Sequence, residues 1–177
     1  MSEEDIKSQK KENILKHPVP SKHLEKIGDI TVSFALLENQ IQFFIWSLLE
    51  LTPRIQRIGQ IITSELSFKK LRAVLISLYK ETYGENDNYK RMRDLMNRAG
   101  KIEEKRNQIT HSSWGAGKDI DSITRIKTTT KEKCGLRFKV EYVTAHDLAK
   151  IAGDIKKLAA EISIFNLDLL DCKLKKK

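Results

Sequence analysis

The longest regular pattern in the chain lies between residues 21 and 51. Apolar side chains recur there at steps of three and four, at Ile27, Ile30, Phe34, Leu37, Ile41, Phe44 and Leu48. This spacing is typical of one face of an amphipathic α-helix. Ser21, directly after Pro20, is the expected helix cap, and Pro53 follows the predicted end. At 1.5 Å per residue the helix would be about 45 Å long, long enough to form the spine of a helical bundle.

A second apolar row widens the buried face of this helix. Its members are Leu36, Phe43, Trp46 and Leu49. One interpretation is that the helix is central in the fold and surrounded by other helices. The other is that its extra face meets a second subunit, which predicts a homodimer.

Four further helices are predicted from the same kind of spacing. They cover residues 54–65, 68–83, 87–111 and 145–172. Ile55, Ile58, Ile61 and Ile62 should face inward on the first of these, and Ser67 should cap the second. Gly100, inside the third, indicates either close packing or a break into two helices. Thr144 and Asp147 form a near capping box at the start of the last helix.

The pattern changes between residues 122 and 143. Alternating and β-branched residues on both sides of residues 131–135 predict a β-hairpin, which must pack on the helices because an isolated hairpin is only marginally stable. The fold class expected is therefore mainly α: an antiparallel helical bundle with a small β-hairpin inserted before the C-terminal helix. A flexible tail, 1–20, would precede the single domain, 21–172, and a basic tail, 173–177, would follow it.

Charge and composition favour an anionic partner. The 177 residues carry a formal net charge of +9, which favours nucleic acid first and an acidic protein second, although the C-terminal lysines account for part of it. Cys134 and Cys172 form no CxxC pair, so a reduced, cytoplasmic setting is expected. No stretch is apolar enough for a membrane span, and the N-terminus lacks the apolar core of a signal peptide.

Residues 103–115, late in the third of these helices, carry the strongest chemical signal. Arg106 can hold a phosphate by two parallel hydrogen bonds, and His111 can exchange protons near neutral pH. Asn107 and His111 are spaced i, i+4 and share one helix face. On spacing alone, a solvated helix face is the ordinary interpretation of an Arg and a His five residues apart.

The whole string, with Ser112 and Trp114 after the histidine, resembles the signature of the HEPN superfamily (higher eukaryotes and prokaryotes nucleotide-binding). The resemblance implies a metal-independent ribonuclease without cofactor, often a homodimer, acting as a toxin or in antiphage defence. It further implies RNA as substrate and a cognate antitoxin or nucleotidyltransferase as partner. Glu38, at the border of the apolar face, would orient Arg106 or His111. Its ordinary interpretation is a hydrated residue at the edge of the core.

Geometry limits how Arg106 and His111 can act together. In a regular helix they would point about 140° apart. They can therefore meet only if the helix ends near His111, or if two copies face each other across a two-fold axis.

Motifs for phosphate loops, zinc hydrolases, serine triads and EF-hands are absent from the sequence, which disfavours a hydrolase built on a metal or a serine triad. Two functions then remain open. In the first, Arg106 holds the scissile phosphate, His111 moves protons and Asn107 fixes geometry, giving a 2′,3′-cyclic phosphate. In the second, the domain is a non-catalytic HEPN-like module that binds RNA, a nucleotide or a protein.

Overall fold

The computed structural model describes residues 18–49, 53–131 and 135–175. Its helices and strands follow the predicted order, and the expected fold class is confirmed. Within these ranges, five helices make up most of the structure: α1 Ser21–Leu48, α2 Pro53–Ser64, α3 Phe68–Tyr83, α4 Asp87–Thr110 and α5 Ala145–Leu174. A three-stranded antiparallel sheet lies between α4 and α5: β1 Ser113–Ala116, β2 Ser122–Lys131 and β3 Gly135–Thr144.

Helix α1 is the centre of the bundle. It packs along α5 over most of its length and also contacts α2, α3 and α4. Its predicted apolar face is buried, apart from the half-buried Ile27. Phe44 lies at the middle of this core, edge-on to the rings of Tyr79 and Phe165 at 6.3 and 5.8 Å between centroids. The periodicity therefore predicted both the helix and the side that it buries.

The start of α1 differs from the prediction. Pro20, extended at φ −60° and ψ 147°, is the N-cap, and no side chain in the described part of the chain caps the helix. Ser21 is instead the first helical residue. The Pro20 carbonyl accepts hydrogen bonds from the His23 and Leu24 amides at 2.9 and 3.2 Å. Val19 is buried, so the end of the predicted tail is packed on the core, whereas residues 1–17 lie outside the described part of the chain.

Helix α2 is rotated relative to the prediction. Ile58, Ile61 and Ile62 are 45%, 72% and 52% exposed rather than inward, and the side chain of Ile55 lies outside the described residues. The buried side of α2 carries Thr63, which fits the indole of Trp46. Trp46 Nε1 donates to Thr63 Oγ1 at 3.0 Å.

Gly59 completes this contact between α1 and α2. A Cβ at Gly59 would lie 2.6 Å from Trp46 Cδ1, so only glycine leaves room for the indole there. Trp46 thus accounts for part of the second apolar row within the chain, while Leu36 and Phe43 of the same row remain 47% exposed.

The remaining helix starts agree with the sequence. Ser67 Oγ accepts from the Lys70 amide at 3.4 Å, which confirms the predicted cap of α3. Thr144 Oγ1 accepts from the Asp147 amide at 3.1 Å, and Asp147 accepts from the Thr144 amide at 3.0 Å. This reciprocal pair is the predicted capping box at the start of α5.

The sheet contains the predicted hairpin and one strand more. Strands β2 and β3 pair from Ser122–Thr144 to Lys131–Gly135, and residues 132–134 of the hairpin tip lie outside the described part of the chain. Strand β1, Ser113–Ala116, lies outside the predicted hairpin and pairs with β2. The inner face of the sheet carries the buried Ile123 and packs against the bundle.

Within the described residues, no helix is long and apolar enough to cross a membrane. Cys172 is an exposed free thiol, and Cys134 lies outside the described residues.

Candidate functional site

Arg106 projects from α4 towards α1. Its Cζ atom lies 4.1 Å from the centroid of the Phe34 ring, so the guanidinium is held by a cation–π contact. The side chain is half-buried, and its Nε is buried with no hydrogen-bond partner in the part of the chain that the structure describes. Among the described residues, no carboxylate forms an ion pair with Arg106. The guanidinium therefore keeps its capacity to bind an anion, because Phe34 fixes its position without neutralising its charge.

Glu38 lies four residues beyond Phe34 on α1 and close to Arg106. Burial raises the pKa of the Glu38 carboxyl, the positive charge of Arg106 opposes this rise, and the negative charge of Glu103 adds to it. The charges that act on Glu38 are therefore those of α4 at Arg106 and Glu103. The structure brings Glu38 to the arginine of the motif.

Arg72 of α3 joins the same group of charges, although no pattern in the sequence predicts it there. Arg72 Nη1 lies 3.4 Å from Glu103 Oε2. Its guanidinium passes over Gly100, where a Cβ would come within 2.6 Å of Arg72 Cζ. Helix α4 is unbroken at Gly100, so close packing is the correct alternative for that glycine. We call Glu38, Arg72, Glu103 and Arg106 together the Arg106 cluster.

His111 stands apart from the Arg106 cluster. It is the C-cap of α4, where its amide donates to the Asn107 carbonyl at 3.0 Å, and its side chain is exposed. Helix α4 ends at Thr110, as the geometry of Arg106 and His111 requires if they are to act together. Within the described residues, however, no hydrogen bond or ion pair joins the His111 imidazole to the cluster.

Three further residues of the predicted site shape the exit from α4. The Asn107 carbonyl receives the His111 amide, and the Asn107 side chain is half-buried. Ser112 Oγ donates to the Gln108 carbonyl, and Trp114 Nε1 donates to the Ile109 carbonyl at 3.0 Å. Ser112 and Trp114 therefore bind carbonyls of the last helical turn, which would otherwise lack partners.

Two histidines elsewhere have contrasting environments. His23 is fully buried, with Nε2 at 3.2 Å from the Asp121 carbonyl oxygen, and its Nδ1 has no partner within residues 18–49, 53–131 and 135–175. His146, in the first turn of α5, is exposed. In the described part of the chain, no three His, Cys, Asp or Glu residues are grouped so as to hold a metal ion.

Comparison of the chain with protein-family models, curated proteins and solved structures finds no significant match.

Proposed function

We propose that the protein is a metal-independent endoribonuclease of the HEPN type. The observation that carries the proposal is the state of Arg106, a half-buried cation fixed over Phe34 with an unpaired Nε and no ion pair within the described residues. A phosphate would supply acceptors for such a guanidinium, and charge-assisted hydrogen bonds of this kind are about twice as strong as neutral ones. Arg72, whose Nε is also buried and has no partner among the described residues, lies nearby in its ion pair with Glu103.

The reaction needs two proton transfers and no oxidant or reductant. The ribose 2′-oxygen attacks phosphorus, its proton passes to a base, and the 5′-oxygen leaves with a proton from an acid. The products are a 2′,3′-cyclic phosphate and a 5′-hydroxyl. His111 would move protons from its exposed position at the end of α4, and Arg106 would stabilise the negative charge that grows on the phosphoryl oxygens. Glu38 would orient Arg106, and Asn107 would fix geometry by hydrogen bonding.

The alternative is a non-catalytic HEPN-like module that binds RNA, a nucleotide or a protein. The separation of the exposed His111 from the half-buried Arg106 favours this alternative, because catalysis requires both to reach one phosphodiester. A cognate antitoxin or nucleotidyltransferase partner, and a role as a toxin or in antiphage defence, remain predictions from the resemblance.

We also propose a homodimer, on the strength of apolar side chains exposed on α1 and α2. Leu36, Phe43 and Ile61 are the most relevant, at 47%, 47% and 72% exposure. At about 100° per residue, Leu36 and Phe43 lie about 160° and 180° around α1 from Phe34. A dimer formed there leaves the two Arg106 clusters on opposite sides of the contact. Two arguments predicted a dimer: the second apolar row of α1, and the need for two motif helices to face each other if Arg106 and His111 are to share a site. These two arguments therefore require different contact surfaces.

The test is cleavage of single-stranded RNA in the presence of EDTA. His111→Ala and Arg106→Ala should each abolish cleavage, since a positioned proton carrier and a fixed charge donor each supply factors of about 10² or more. His146→Ala and Arg93→Ala are matched controls, exposed residues of the same types on α5 and α4 that should cut like the wild type. Arg106→Met, which keeps packing over Phe34 without the charge, separates lost chemistry from lost folding.

RNA affinity separates the two functions further. His111→Ala should bind RNA nearly as well as the wild type, whereas Arg106→Ala and Arg106→Met should bind more weakly. Binding should also weaken steeply as salt rises, because each neutralised phosphate releases counterions. If the wild type binds RNA but cuts none under any buffer, or if all variants cut equally, the ribonuclease proposal fails and the binding module replaces it.

A further inference from the structure

Strand β3, Gly135–Thr144, is an edge of the sheet. The strand order is β1–β2–β3, so β3 pairs with β2 on one side and, among the described residues, with no strand on the other. It is ten residues long and contains no proline. An edge of this kind presents a row of backbone N–H and C=O groups with which another strand can pair. The free side of β3 is therefore a place where a further strand can dock.

The outer face of β3, away from the bundle, is apolar. The pairing register places Phe138, Val140 and Tyr142 on this face, and they are 64%, 55% and 59% exposed. Ile126 of β2 faces Val140 and extends the apolar row to the next strand. Exposed apolar surface that is continuous across two strands is typical of an interaction site.

The inner face of the same strand carries a compact charge pattern. Lys139 and Glu141 lie on either side of Val140, and Lys139 Nζ is 2.6 Å from Glu141 Oε1. Arg125 of β2 donates to the other carboxylate oxygen of Glu141. A lysine on an edge strand normally opposes further pairing. That opposition disappears if the incoming strand brings a carboxylate to the position that faces Lys139.

A second copy of β3 brings such a carboxylate. If two copies run antiparallel about a two-fold axis at Val140, each residue before Val140 faces the residue equally far after it in the partner. Lys139 then faces Glu141 of the partner subunit, and on the outer face Phe138 faces Tyr142 of the partner subunit. Each of these pairs occurs twice, because the contact is isologous. Facing side chains in a sheet have Cβ atoms about 4.5–5.5 Å apart, where opposite charges and aromatic pairs stabilise the pairing.

Other registers lose this match. An axis at Lys139 would place the two lysines against each other, and an axis at Glu141 would do the same with the two carboxylates. An axis at Phe138 would place Arg137 against Lys139. Like charges directly opposite one another destabilise a sheet. Of these four axes, the one at Val140 is therefore favoured, because it opposes unlike charges without opposing like ones.

We propose that β3 is a self-association surface, at which two copies pair antiparallel about Val140 and form one continuous sheet with three strands from each copy. Around the axis the charges of Lys139 and Glu141 would alternate in sign. This contact is independent of the proposed ribonuclease function and of the apolar contact proposed at α1 and α2. A pair of strands on its own is only marginally stable, so the β3 contact should be the weaker of the two and should form above micromolar concentration.

The first experiment measures self-association in the Phe43→Lys variant, which removes the contact at α1. Sedimentation equilibrium between micromolar and millimolar concentration should show a change from the monomer mass to the dimer mass. Lys139→Glu, added to this variant, should raise the dissociation constant about fourfold or more, because it turns two attractive cross-strand pairs into repulsive ones. Lys69→Glu is the matched control: it makes the same charge change at an exposed position on α3 and should leave the dissociation constant unchanged.

The second experiment tests the register by disulfide cross-linking. In the Phe43→Lys background with Cys134→Ser and Cys172→Ser, Val140→Cys places two thiols at the axis, and oxidised glutathione should convert them to a covalent dimer. Tyr142→Cys is the control, on the same face and similarly exposed. Its two copies would lie about 14 Å apart along the strands, beyond the Cα separation of about 7 Å that a disulfide can span. Both side chains are exposed, so both variants should fold.

The outcomes separate this contact from the one at α1. Dimers of Phe43→Lys at high concentration, with cross-linking at Val140 and not at Tyr142, support pairing through β3 whether or not the wild type also dimerises through α1. A Phe43→Lys protein that stays monomeric up to millimolar concentration overturns the proposal and leaves the edge to a strand of a different protein. Equal weakening by Lys139→Glu and Lys69→Glu, or equal cross-linking at both cysteine positions, also overturns it.

Discussion

Gly100 offers a direct test of how the Arg106 cluster is assembled. Replacing a glycine by alanine inside a helix normally stabilises it by about 1 kcal/mol. At Gly100, however, the new Cβ would lie 2.6 Å from Arg72 Cζ, so the guanidinium must move away. Its pair with Glu103, 21% and 22% exposed, would then be lost, at a cost of about 0.5–1 kcal/mol. Gly100→Ala should therefore change the free energy of unfolding of the wild type by only about 0–0.5 kcal/mol.

The same substitution should behave differently once the arginine is gone. In an Arg72→Ala background, Gly100→Ala should show the full gain of about 1 kcal/mol, which gives a coupling of about 0.5–1 kcal/mol in a double-mutant cycle measured by urea unfolding. Gly153→Ala in α5 is the control, because a Cβ there meets nothing within 4 Å. It should stabilise both backgrounds equally. If Gly100→Ala also gives equal gains in both, Arg72 does not occupy the space above Gly100 and the described cluster is wrong.

Three further predictions follow from single contacts. Thr63→Val should lower the free energy of unfolding by about 1–3 kcal/mol in urea, because it leaves the buried Trp46 indole without its acceptor, whereas the exposed Thr82→Val should change it little. Glu38→Gln should stabilise the protein near neutral pH. Burial raises the pKa of the Glu38 carboxyl in the folded state, so above that pKa the ionised carboxyl destabilises the folded protein. The stability gained by Glu38→Gln should therefore fade as the pH falls through the folded-state pKa and vanish below the unfolded-state pKa. If Glu38→Gln raises the free energy of unfolding equally at neutral pH and at a pH below the unfolded-state pKa, burial of the ionised carboxyl is not the cause. Sedimentation at micromolar concentration should give about twice the 20.4 kDa chain mass for the wild type and the monomer mass for Phe43→Lys, and a monomeric wild type would remove the dimer proposal.

The order of the elements and most of the core could be predicted because they depend on local periodicity. The apolar rows of α1, α4 and α5 repeat over many turns, so each row identifies both a helix and its buried side. Helix α2 was assigned the wrong buried side because it is short and carries more isoleucines than the bundle covers. Its orientation is decided by Trp46, which needs the space at Gly59 and the hydroxyl of Thr63. That requirement arises between two helices and leaves no periodic signal in α2.

The candidate site shows the same division between local and tertiary information. The motif placed Arg106 and His111 at the end of one helix, whereas Arg72 was missed because it reaches the site only where α3 packs over Gly100. Burial of Arg106 against Phe34 also depends on that packing. This burial constrains the proposed reaction. A phosphate that reaches both residues must approach the C-terminal end of α4, where the helix dipole is negative and repels anions. The described last turn of α4 contains no basic residue to offset that field. The positive charge of Arg106 must therefore offset the negative end of the helix dipole. For this reason, removing the Arg106 side chain should reduce RNA affinity more than removing the His111 side chain.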